Sequence, residues 1–189
     1  MDRKLRRAAG VVLACSMAAT VGMLYAQGRV LEALPLHLCS ISALAAVCLS
    51  AGKRAGLLDF LWYLGMPGAL LALIFPAPAV SRWQELFNVS YAVTHAMILV
   101  IPMLCIHMGE KPRAGQTLRM MVILQGAALV ASLTNHMLGT DFLFLSAPPA
   151  GTPLEWVFSW GYDTYLIFLE ILMLSVCRGM DSLCRKIFR

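Results

Sequence analysis

Residues Asn88–Met108 read NVSYAVTHAMILVIPMLCIHM, a run without a single Lys, Arg, Asp or Glu. A bilayer core about 30 Å thick is crossed by about 20 apolar residues in helical form, so this run has the length and character of a transmembrane helix. Five more runs of the same kind flank it, at about 8–27, 34–51, 57–76, 117–139 and 156–177. The composition agrees: 60% of the 189 residues are hydrophobic and 13% are charged. An ordinary soluble domain is about 45–50% apolar and about 25% charged. A water-soluble globule, a disordered chain and a coiled coil are thereby excluded. The expected fold class is all-α, a polytopic six-transmembrane-helix bundle forming a single domain over residues 1–189. The short connections make consecutive helices antiparallel neighbours.

Orientation follows from the cations. Thirteen of the fifteen Lys and Arg fall at the N-terminus (Arg3, Lys4, Arg6, Arg7), the second connection (Lys53, Arg54), the fourth (Lys111, Arg113, Arg119) and the C-terminal tail (Arg178, Arg185, Lys186, Arg189). Only Arg29 and Arg82 lie on the other side. The positive-inside rule therefore predicts a multi-pass protein of the cell membrane with both termini cytoplasmic. The basic excess is a topology signal and a contact for anionic lipid at the cytoplasmic face, and it implies no nucleic acid. The first run, although it follows a basic MDRKLRR segment, is read as a span because it is too long for a signal peptide's apolar region. No cysteine falls in a predicted external loop, so no disulfide framework is expected. No Cys-x-x-Cys, His-Glu-x-x-His, phosphate-binding loop or dinucleotide fingerprint occurs. No internal repeat of the transporter kind is found.

Polar side chains inside spans are costly and are candidates for function. At about 1.5 Å per residue, His37 and Cys39 lie about 4–8 Å from the external end of the second span and His95 about 10 Å from that of the fourth. Asn135 and His136 lie about 5–6 Å into the fifth, and Asp163 with Thr164 about 10–12 Å into the sixth. Four helices thus bring polar groups to one layer. Asp59 and His107 are read as lying at cytoplasmic boundaries within reach of water, which leaves Glu170 as the deep polar group of the inner half. Taken singly, a span His or Asn is interhelical glue and a span Cys a small hydrophobe. His37 and Cys39 are two positions apart and diverge on a regular helix, so sharing a pocket requires an unwound start, which Pro35 favours. A cross-helix pair is simpler: His95 takes the thiol proton of Cys39, and Asp163 or Asn135 orients His95. Gly65-Met66-Pro67-Gly68 is expected to kink the third span, and Phe75-Pro76-Ala77-Pro78 to end it. Trp83, Trp156 and Trp160 suit an interfacial belt. The connection from Leu138 to Trp156 is rich in turn formers and suits a cap over the external face.

Leu34-Pro-Leu-His-Leu-Cys39-Ser-Ile-Ser42, Gly65-Met-Pro-Gly-Ala-Leu70, Tyr91-Ala-Val-Thr-His95 and Gly139-Thr-Asp-Phe-Leu-Phe144 occur in that order. Together they resemble the bacterial YwaF-like integral membrane proteins, which are similar to the eukaryotic transmembrane protein 164 group. The resemblance covers the chain from Leu34 to the sixth span. It implies six spans and, for the eukaryotic branch, phospholipid acyl transfer with a Cys nucleophile and a His partner, here Cys39 and His95.

The leading expectation is a membrane-embedded lipid acyltransferase or lipid hydrolase acting on membrane phospholipid. His37 or Asn135 would donate to the oxyanion, His136 and Asp163 would support the site, and neither metal nor cofactor is required. Two other classes compete: a non-catalytic transporter, channel or membrane assembly subunit, and a haem- or metal-binding membrane protein that uses His37, His95 and His136.

Overall fold

The computed structural model describes residues 2–52, 54–76 and 83–188. Lys53, Arg82 and Arg189, counted above among the connection charges, and Ala77 and Pro78 of the breaker sequence lie outside the described residues. Among the described residues there are helices and turns and no strand. In chain order the helices are α1 (Asp2–Ala26), α2 (Leu38–Ala51), α3 (Ala55–Ile74), α4 (Gln84–His107), α5 (Thr117–Leu138), α6 (Leu154–Phe158) and α7 (Tyr162–Ile187). Four of them, α1, α3, α4 and α5, are long and apolar enough to cross a membrane. Helix α2 is shorter at 14 residues, and α7 runs for 26.

The ends of these helices follow local chemistry. Pro35 disfavours helical backbone at the residue before it, and Leu34 is extended at φ −65°, ψ 131°. The second run is therefore unwound from Leu34 to His37, and helix begins at Leu38 instead of residue 34, with Ile41 N–H donating to His37 O at 3.1 Å. Helix α3 stops before Pro76 for the same reason. Helix α5 ends on Gly139 in the left-handed region, φ 64°, where a side chain would be strained. Gly161, at φ 119°, separates the single turn α6 from α7. The sixth run accordingly starts at Tyr162 and continues to Ile187, past the expected end at Cys177. Charge ends an apolar run without ending a helix, and Asp181 and Arg185 pair one turn apart at 3.0 Å.

Near Gly65-Met66-Pro67-Gly68, α3 continues and widens into a π-turn over Leu61–Gly65. Pro67 has no N–H and its ring crowds the carbonyl four residues back, that of Tyr63; a π-turn absorbs the misfit with one extra residue. This turn is the centre of the molecule: Leu61, Tyr63 and Leu64 are fully buried, and it touches α2, α4, α5 and α7. Helices α1, α2 and α4 pack on one another beside it, while α5 and α7 pair on its other side. Close approach is set by small residues, since a Cβ at Gly10 would overlap the Ser50 side chain, and one at Gly65 would lie 3.3 Å from Ser42 Oγ. The outward faces stay apolar, with Leu118, Val122, Leu129, Leu133 and Met137 of α5 all exposed, as a lipid-facing surface requires. Trp83, Trp156 and Trp160 are exposed too.

The end carrying both termini is tied by ion pairs. Arg6 of α1 meets Glu110 at 2.8 Å, both nearly buried. Asp59 is completely buried and accepts from the Arg113 backbone N–H at 2.7 Å, from its Nε at 2.7 Å and from its Nη2 at 2.6 Å. The expectation that water reaches Asp59 is thus corrected: the connection between α4 and α5 folds over it. Asp181 of α7 accepts from Tyr63 OH at 2.5 Å and from the Gly115 N–H. Burial raises the Asp181 carboxyl pKa, but the hydrogen bonds from Tyr63, Gly115 and Arg185 outweigh it and hold it below the ordinary value. A carboxyl depressed by folding stabilises fully above its unfolded pKa, about 4, and loses that contribution as pH falls below it. The thermal midpoint of detergent-solubilised protein is therefore expected to fall less steeply between pH 6 and pH 3 in Asp181→Asn than in wild type.

Candidate functional site

His95 lies in the middle of α4 and is 3% exposed. Its Nδ1 is 2.8 Å from the Tyr91 carbonyl oxygen, one turn back on the same helix, and its ring lies 4.1 Å from the Tyr91 ring. A carbonyl only accepts, so Nδ1 carries the proton and Nε2 is left as the basic nitrogen. Tyr91 OH in turn donates to Ala72 O of α3 at 3.0 Å. The partner of Nδ1, expected to be Asp163 or Asn135, is a backbone carbonyl of α4 itself.

Cys39 sits in the first turn of α2, partly buried against the core. Its helix packs along α3, where Leu38 reaches within 3.6 Å of the Cβ position of Gly68 and Ser42 lies against Gly65. Neighbours of the two residues thus meet the same half of α3: Leu38, next to Cys39, lies near Gly68, and Tyr91, one turn before His95, bonds Ala72 O. Among the described residues no hydrogen bond joins the two side chains. The imidazole leans back toward Tyr91.

His37 and Asn135 form a second cluster. Asn135 is 8% exposed; its Oδ1 accepts from Phe142 N–H at 2.7 Å and from Thr140 Oγ1 at 3.0 Å, and its Nδ2 donates to Phe142 O at 3.0 Å. That amide is spent on shaping the loop after α5. Asp141 accepts from the N–H groups of Ser146 and Ala147, and Tyr165 OH donates to Phe144 O at 2.7 Å. So braced, the loop holds Leu143 at φ 60° and Phe144 at φ 55°, where non-glycine residues are strained. The His37 ring packs on Phe142 at 5.1 Å and on Phe144 at 5.4 Å, which joins this loop to the unwound start of α2. The cap expected between Leu138 and Trp156 thus leans on the segment that leads to Cys39.

The other members of the polar layer lie apart. His136 and Asp163 are exposed on α5 and α7. All six cysteines are free thiols. Among the described residues no group of three or more His, Cys, Asp or Glu side chains is placed to hold a metal ion. Sequence reasoning missed a hydroxyl seam between α1 and α4, in which Ser16, Thr20, Ser90 and Thr94 bond one another at 2.6–3.0 Å. It also missed Tyr91, whose signal was its place one turn before His95.

A family model described as the TMEM164 family matches residues 2–181. No curated protein and no solved structure matches this chain.

Proposed function

The chain belongs to the TMEM164 family, and from that premise we propose that it is a membrane-embedded cysteine-dependent lipid acyltransferase or lipid hydrolase. The observation that carries the reading is the buried His95, its Nδ1 held by the carbonyl of Tyr91 and its Nε2 left as acceptor, with Tyr91 bonded to the half of α3 on which the first turns of α2 pack. His95 Nε2 takes the thiol proton, and Cys39 Sγ attacks the carbonyl carbon of a phospholipid ester. The C–S bond forms as the carbonyl electron pair moves onto oxygen. Collapse then breaks the ester C–O bond, and the leaving alkoxide takes the proton from the His95 imidazolium. A lipid hydroxyl or water next attacks the thioester and gives its proton to His95. The C–S bond breaks, and the released thiolate takes up that proton.

The membrane arrangement belongs to the same proposal. Six spans are the reading of the six apolar runs, and cytoplasmic termini are the reading of the cation distribution. Helix α2 alone is about 21 Å long, shorter than the hydrocarbon core, and it is preceded by a turn closed by the Leu36 N–H on Leu34 O at 2.9 Å. Cys39 then lies in the outer half, near the depth of lipid ester groups. A second, non-catalytic reading as an assembly subunit draws support from the exposed pair of Gln125 Nε2 and Glu170 Oε2, at 2.6 Å across α5 and α7. Such a polar pair on an otherwise apolar face suits a partner helix.

Intact mass of purified protein after incubation with phospholipid vesicles tests the catalytic reading. The expected result is a hydroxylamine-sensitive acyl gain that is absent in Cys39→Ala. Lipid turnover by Cys39→Ala at the wild-type rate would overturn it.

A further inference from the structure

Ser42 is 1% exposed, and its Oγ is a buried side-chain oxygen without a hydrogen-bond partner. A serine inside a helix ordinarily bonds the carbonyl four residues back, so an orphaned hydroxyl calls for a reason. Its position supplies one. Ser42 stands three residues after Cys39, so the two share a face of α2 with their Cβ atoms about 5–6 Å apart. Opposite it is Gly65, the last residue of the π-turn in α3; a Cβ there would lie 3.3 Å from Ser42 Oγ and 2.8 Å from Leu61 Cδ2. The absence of a side chain at Gly65 keeps the hydroxyl from being crowded.

We propose that Ser42 is a catalytic residue whose hydroxyl donates to the oxyanion formed when Cys39 attacks an ester carbonyl. This inference rests on the acyl-transfer reading above. Rotation about χ1 turns Oγ along the helix face toward Cys39. There the hydroxyl meets an acceptor that exists only during the reaction: the carbonyl electron pair that has moved onto oxygen as the C–S bond forms. When the ester C–O bond breaks, that pair returns to the carbonyl and the hydroxyl is released without having transferred its proton. A donor that finds its partner only in the intermediate binds transition state in preference to substrate. His37 and Asn135, expected from the sequence to donate here, are engaged with the Phe142 loop.

Ser42→Ala tests the assignment, because removing an unpaired buried hydroxyl leaves no new orphan and is neutral or favourable for folding. Vesicles of a zwitterionic phospholipid with one labelled acyl chain serve as probe, with wild type and Cys39→Ala run beside the variant. The expected result is a loss of about 10²-fold in kcat with KM unchanged, together with a thermal midpoint equal to or above wild type. Wild-type turnover in Ser42→Ala, while Cys39→Ala is inactive, would overturn this inference and leave the acyl-transfer reading intact. A loss of activity that tracks a lowered midpoint or a raised KM would overturn it too, since the hydroxyl would then serve packing or binding. Full turnover in Cys39→Ala would remove the premise itself.

Discussion

In His95→Ala, acylation of Cys39 by phospholipid is expected to slow by about 10²–10⁴-fold, the range a positioned general base contributes. The folded helices are expected to remain, because the ring's single hydrogen bond is local to α4 and the Tyr91 carbonyl it releases already accepts from within the helix. Quenched-flow acyl trapping followed by mass measurement reads the rate. The companion expectation separates this site from a conventional triad. A carboxylate or amide that orients a catalytic histidine can be deleted by substitution, and the activity falls with it. Here the hydrogen-bond partner of the His95 Nδ1 is the main-chain oxygen of Tyr91, which no side-chain replacement removes. Asp163→Asn is therefore expected to leave the acylation rate within about threefold of wild type, because Asp163 is exposed and is not among the partners of His95. A loss in Asp163→Asn as deep as in His95→Ala would mean that the carboxylate reaches the imidazole in the membrane and that the Tyr91 carbonyl is not its partner.

Much of the helix pattern was legible because apolar run length is a strong signal, and Asn88–Met108 is enough to show it. The boundaries were less so, since they are set by single residues acting on backbone: Pro35 unwinds four residues that hydropathy assigns to helix, while the charges after Cys177 end an apolar run and leave the helix of Tyr162–Ile187 unbroken. The resemblance carried by Leu34–Ser42 and Tyr91–His95 named Cys39 and His95. What no spacing rule reaches is which face each polar residue presents. Asn135 and His136 are adjacent in sequence and equal in estimated depth, yet one is buried in a loop clamp and the other is exposed. Ser42 escaped notice for a related reason: a serine among alanines looks like small-residue packing until its hydroxyl proves to have no partner.

Asp59 was misread through the same blindness, and the correction carries the largest expected effect on stability. At a predicted span end a carboxylate is assigned to water, because its distance from the interface is short. In the structure it lies beneath the connection joining α4 to α5, where Arg113 closes over it with its backbone N–H and guanidinium. Asp59→Ala leaves the Arg113 N–H without its acceptor and the guanidinium without its counter-ion. Breaking a fully buried pair costs about 3–5 kcal/mol. Arg113 is half exposed and regains water, so the expected loss is about 2–4 kcal/mol. For a chain of this size, that amounts to a fall in thermal midpoint of about 5–12 °C. Asp59→Asn retains an oxygen for the Arg113 N–H and is expected to lose about half as much, a contrast that separates the hydrogen bond from the charge. Because the clasp also sits beside Tyr63, whose hydroxyl spans Arg113 O and Asp181, its loss releases the connection from both α3 and α7. Proteolysis between Glu110 and Gln116 is therefore expected to speed up in Asp59→Ala before the helices themselves melt. An unchanged midpoint together with an unchanged cleavage rate would mean that the pair contributes nothing to holding this end of the bundle.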